Sequence, residues 1–169
     1  MLGWALRQHL PHRWLRLHSL PHAKRYATHA TERDEILARH RSVLRAMTGG
    51  AAELVFSMYG AETFATAKLA GAMRQLNPTP LGILHRASSR LDRDFQLLSA
   101  SVETPTDALA SVLMAVADDL LETPLLISRE LKRVAAPYDG GVDLFLESPA
   151  AKERFAERFR DWLPEASDL

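Results

Sequence analysis

The chain has 169 residues, 47% of them hydrophobic and 25% charged, the composition of one ordinary globular domain rather than of a disordered or fibrous segment. It contains no cysteine, which excludes disulfides, thiolate metal sites, iron–sulfur ligation and a cysteine nucleophile. The formal net charge is zero but unevenly placed: the first 26 residues are basic and the remainder is mildly acidic, a poor partner for phosphate backbones, which argues against general nucleic-acid binding.

Residues 1–26 carry Arg7, Arg13, Arg16, Lys24 and Arg25 and no carboxylate; the first carboxylate is Glu32. Residues 27–169 hold 16 basic and 21 acidic residues. Leu2, Trp4, Leu6, Leu10, Trp14, Leu15, Leu17 and Leu20 interleave with the cations. That pattern predicts short amphipathic turns drawn to anionic lipid and acidic import receptors, the physical character of a mitochondrial transit peptide. A secretory signal needs an unbroken apolar core, and here a charge, His or Pro breaks every run. Arg25-Tyr26 before Ala27 fits a processing site with arginine two residues ahead of the cut. The expected division is therefore a cleaved leader over 1–26 and a single domain over 27–169, the alternatives being an uncleaved amphipathic arm or a basic arm of a bacterial protein. His9/His12 and His18/His22 have helical spacing, but Pro11 and Pro21 interrupt each pair and no carboxylate completes a metal site.

The body reads as a run of helices. The first spans 31–48, with Thr31 as cap, Glu32, Asp34 and Glu35 at its positive end, and Gly49-Gly50 as its stop. The second, over 51–76, is rich in small residues (Ala51, Ala52, Ala67, Ala70, Gly71, Ala72) and reads as a central helix. Glu53, Glu62 and Lys68 argue against a membrane span, so no transmembrane helix is expected. Four Ser/Thr-Pro pairs (Thr79-Pro80, Thr104-Pro105, Thr123-Pro124, Ser148-Pro149) read as caps followed by a proline at the first helical position. They predict helices over 81–100, 105–121, 124–136 and 149–163, with stripes such as Leu109, Val112, Leu113 and Val116. Only Tyr138–Gly141 reads as a turn, and Val142–Phe145 as a short extended piece. The expected fold is all-α, an antiparallel helical bundle or short helical array of about six helices.

Candidate chemistry is sparse. Asp118-Asp119-Leu120-Leu121-Glu122 resembles, over five residues, the aspartate-rich motif of isoprenyl diphosphate synthases, a resemblance that implies a shared divalent cation on Asp118, Asp119 and Glu122. That family has Asp where this chain has Glu122, and carries a second acidic motif absent here. His85 with Ser88 and Ser89 lacks an orienting acid. Arg129, Lys132 and Arg133, and likewise Arg86, Arg90 and Arg93, form basic patches without interleaved aromatics. The glycine pairs are isolated, so no phosphate loop is present and nothing demands a cofactor. Phe155, Phe159 and Trp162, at i, i+4 and i+7, are anchors for the helix's own core or for a partner's groove.

These features lead to an expected accessory or assembly subunit of a mitochondrial complex (respiratory chain, ATP synthase or mitoribosome) in the matrix or on the matrix face of the inner membrane. It would act by protein–protein contacts, with peripheral membrane contact allowed and no catalysis expected. The alternative is a small helical enzyme or ligand binder using Asp118, Asp119 and Glu122.

Overall fold

The computed structural model describes residues 2–59, 67–86, 93–104 and 106–165. Seven strands and five α-helices alternate along them: α1 (Leu2–His9), β1 (Trp14–His18), α2 (Ala30–Thr48), β2 (Ala51–Tyr59), α3 (Ala67–Leu76), β3 (Thr79–Arg86), β4 (Arg93–Glu103), α4 (Asp107–Ala117), β5 (Leu125–Ser128), β6 (Arg133–Tyr138), β7 (Gly141–Phe145) and α5 (Pro149–Arg158). Among the described residues the strands form one antiparallel sheet in the order β1-β7-β6-β5-β2-β4-β3. No described helix is long and apolar enough to cross a membrane.

The all-α expectation is therefore overturned. Of the six helices expected, those at 31–48, 105–121 and 149–163 exist as α2, α4 and α5. The one expected over 51–76 is strand β2 followed by α3; the one over 81–100 is the β3–β4 pair; the one over 124–136 is β5 and β6. The reason is physical. Strands covered on both faces lose the in–out alternation that marks them, and their continuous apolar runs resemble helical stripes. Three of the four residues in β5 and three of the six in β6, the strands misread over 124–136, are buried.

One face of the sheet carries the main core. Leu15, Leu17, Leu54, Phe56, Val102, Leu126, Leu144 and neighbours meet Val43, Leu44 and Met47 of α2, Leu69 and Met73 of α3, Leu109, Val112 and Leu113 of α4, and Ala151 and Phe155 of α5. On the other face, Leu6, Leu10 and Trp14 cover a smaller cluster of Val55, Leu125, Ala136 and Phe145. Burying a side chain of Leu or Phe size is worth about 1.5–3 kcal/mol, so the two-sided coverage of β7, β6 and β5 makes that end the stable one.

Helix ends follow the expected chemistry only in part. Ser148 accepts a hydrogen bond from the Ala151 amide at 3.2 Å, with Pro149 in the first turn of α5. In α4 the cap is Thr106, which accepts from the Leu109 amide, whereas Thr104 shares a hydrogen bond with the Thr48 hydroxyl at 2.8 Å. Thr79 and Thr123 lead into strands. Thr31 lies inside α2, whose entrance is held instead by Glu32 accepting from the Thr28 amide (2.7 Å) and Lys24 (2.6 Å). Gly49, in the left-handed conformation, closes α2 as expected.

Candidate functional site

The acidic motif does not assemble. Helix α4 ends at Ala117, so residues 118–122 leave the helical path that would place three carboxylates on one face. Asp118 takes a bidentate pair from Arg33 at 2.7 and 2.8 Å, tying the end of α4 to the start of α2. Asp119 adopts a left-handed backbone, and Glu122 accepts from Ser57 on β2 at 3.2 Å. Among the described residues no group of three or more His, Asp or Glu is placed to hold a metal ion.

Two of those carboxylates meet different neighbours. Asp119, Leu121, Glu122 and Thr123 line an open cleft of about 300 Å³ together with Arg25, Val116, Tyr138 and Asp139. β2 pairs with the four-residue β5 at Glu53–Val55 alone, and Glu122 just ahead of β5 is tied to β2 through Ser57. Asp139 accepts from the Arg25 guanidinium and from the Tyr26 hydroxyl at 2.9 Å. The carboxylate beside it pushes the Arg25 guanidinium up. Burial raises the Tyr138 phenol to about 12, so it is a neutral wall. With three carboxylates and one guanidinium the cleft favours a cationic group.

The aromatic anchors at the carboxy terminus are placed on the chain's own core. Phe155 and Phe159 are buried with ring centroids 5.9 Å apart, and Trp162 stacks on Phe159 at 5.0 Å. Arg133 lies over Phe155 and Arg39 over Trp162, at 5.0 and 5.2 Å. Only Trp162 keeps part of its surface in solvent. Of the basic patches, Arg133 is consumed structurally. It donates to both carboxylate oxygens of Glu147 (2.6 and 2.9 Å) and to the Ala46 carbonyl at the end of α2 (2.9 Å), and so holds Glu147 down at about 2. Arg129 and Lys132 are exposed. Ser88, Ser89 and Arg90 lie outside the described residues.

The surface that sequence reasoning missed is strand β3. Among the described residues it ends the sheet and pairs on one side only, with β4. Leu81 and Ile83 are 57% and 63% exposed, and no charged residue occurs from Thr79 to Leu84. A bulge between Pro80 and Gly82 shifts the register, and Gly82 takes a φ of +155° that a side chain would strain. The signal was in the sequence: Pro80 and Gly82 so close together fit a bulged edge strand better than a helix interior.

Fold and surfaces define a small α/β domain built on one antiparallel sheet with helices on both faces. Residues 2–167 match the family described as Domain of unknown function (DUF3885), and the chain belongs to that family. The match takes in β1 as well as the body. No curated protein matches the chain, and no solved structure does.

Proposed function

We propose that this domain is a non-catalytic binding subunit that joins a larger protein assembly through β3, taking an extended, uncharged segment of its partner as an added strand. The observation behind this reading is an edge strand without charge from Thr79 to Leu84 and with Leu81 and Ile83 in solvent. Natural edge strands are normally protected by lysines, prolines, bulges or a covering element. Here Pro80 and the bulge protect the first part, which leaves Gly82–Arg86 as the stretch with room for a partner. Main-chain hydrogen bonds would supply affinity, and alternate side chains specificity. The chemistry of the partner follows from the strand: apolar positions opposite Ile83, with His85 and Arg86 closing the stretch.

The mitochondrial part of the proposal, a subunit of the respiratory chain, ATP synthase or mitoribosome, rests on the charge pattern of residues 1–26. A fluorescent reporter fused to residues 1–30 tests it directly, and cytosolic fluorescence dismisses it.

The docking reading is tested by tagging the wild-type chain and the double variant Leu81→Asp/Ile83→Asp and capturing partners from the native source. The captured protein must be lost from the variant, and Gly82–Arg86 amides must gain exchange protection in the wild-type complex. Equal capture by both chains rejects it. A second reading, a binder of small cationic ligands, is favoured by Asp119, Glu122 and Asp139 around one guanidinium. Melting unchanged by Mg²⁺ or a primary ammonium compound dismisses that one.

A further inference from the structure

The five cations of residues 1–26, which suggest a disposable leader, are each answered by the folded chain. Arg7 lies over the Trp14 ring at 4.5 Å, and Arg13 donates to the Leu146 carbonyl. Arg16 forms a bidentate pair with Asp143 at 2.8 and 2.9 Å. Lys24 donates to Glu32 at 2.6 Å, and Arg25 pairs with Asp139. We propose that the edge of β7 is a strand-acceptor site whose ligand is this chain's own residues 13–19, and that this segment is retained on the working protein rather than removed at Tyr26–Ala27.

The backbone is paired along the segment, while the Trp14 indole N–H and the Ser19 hydroxyl are buried without a hydrogen-bond partner. Trp14 to His18 pair in antiparallel register with Phe145 to Gly141. The Leu146 amide donates to Arg13 and the Ser19 amide to Gly140, both at 3.0 Å, extending the ladder past each end. Leu15 and Leu17 point into the main core, with Leu17 only 1% exposed. On the opposite face Arg16 sits between the Trp14 and Tyr138 rings, 5.5 and 4.8 Å from their centroids.

The acceptor is shaped for this ligand. Asp143, in the middle of β7, is a buried carboxylate paired with Arg16. Without that segment the Asp143 carboxylate loses its bidentate donor and β7 loses the backbone partners of one whole edge. Gly141 leaves room for the Leu17 carbonyl, which any Cβ at that position would strike. A cut after Tyr26 that released the segment would strip one strand, three buried leucines (Leu15, Leu17, Leu20) and the Arg16 pair from the sheet.

The test keeps the full chain. A protease recognition sequence is inserted after Tyr26 and cut under native conditions. The expected result is that residues 1–26 co-elute with the body and a single cooperative melt persists. In a second cut chain carrying Arg16→Ala and Leu17→Ala, the segment is released and the melting midpoint falls by roughly 10 °C, as expected for a lost buried pair and core contacts. The uncut double variant serves as the control that folding itself survives. If the wild-type segment leaves and the remainder melts as before, the inference is overturned. An intact-mass measurement on protein from its native source reads the same point independently: a folded mature chain starting at Ala27 overturns it as well.

Discussion

The two ends of the sheet are finished in opposite ways. At the β1–β7–β6 end both faces are covered, and the last strand is joined by a bidentate ion pair as well as by its backbone. Arg133 there ties α2, β6, the segment before α5 and the Phe155 ring into one network. At the β2–β4–β3 end the strands are long, with nine paired positions between β2 and β4, yet the last strand shows two large apolar side chains to solvent. One end spends its apolar residues and charges on itself. The other keeps apolar surface in reserve. Burial and exposure of apolar side chains are thus separated along one sheet, and under the proposed docking the contact surface could vary without loss of the fold.

The sharpest way to break this contrast is to empty the closed end. Phe145→Ala removes a ring that is 1% exposed from the cluster beneath α1, and is expected to cost about 3–5 kcal/mol in denaturant titration. Next in size is Arg133→Ala, which leaves Glu147 and the Ala46 carbonyl without their donor. A loss of about 2 kcal/mol is expected, below the figure for a fully buried pair because Glu147 is partly solvated. A loss below about 0.5 kcal/mol in either variant would mean that the closed end is not where the stability resides.

The sequence made some of this visible and hid the rest for identifiable reasons. Helices α2, α4 and α5 were legible from their apolar stripes, with the Ser148-Pro149 cap and the Gly49 stop where expected, though the caps of α2 and α4 lie elsewhere than Thr31 and Thr104. The extended piece at Val142–Phe145 was legible from its turn. Strand β2 was not, because Ala51 and Ala52 and the small residues of the following helix read as one helical texture. Leu126, Ile127 and Val134 have helical spacing but belong to β5 and β6, where burial on both faces erases the strand period. Charge composition identified residues 1–26 as unusual but not their role in the sheet, since Arg16 finds Asp143 only across 127 positions of sequence. Of the chemistry, the anchors Phe155 and Phe159 were recognised as anchors and serve the chain's own core. The acidic motif was split by the end of α4, and the β3 edge was hidden by the helix assigned over it.

Acid reaches the closed end in two stages. Burial pushes the His40 imidazole down, its backbone hydrogen bonds to Ile36 and Gly141 opposing. The unfolded chain takes up that proton near 6.5 while the folded chain resists, so the stabilisation is complete above 6.5 and declines as pH falls below it. Glu147, held at about 2 by Arg133, and Glu32, held at about 2 by Lys24 and the Thr28 amide, act lower: their contribution is present above 4.5 and is lost as pH falls from 4.5 towards 2. Melting temperature followed from pH 8 to pH 3 should show both declines. His40→Gln should flatten the upper one and leave the lower in place, and an unchanged upper decline would remove His40 as its cause.

The smallest stability effect belongs at the open end and carries the most functional meaning. Ile83 is 63% exposed on a strand with one neighbour, so Ile83→Asp removes little buried area and creates no buried charge. The expected change is within about 0.5 kcal/mol, the range of ordinary surface substitutions. In the assembly, that same carboxylate would face an uncharged partner strand and lose its water, which costs far more than it does in the free chain. The variant should therefore match the wild type in denaturant titration and fail in partner capture. A loss of 2 kcal/mol or more in the free chain would mean that β3 is already covered within the monomer, and its edge would no longer be available to a partner.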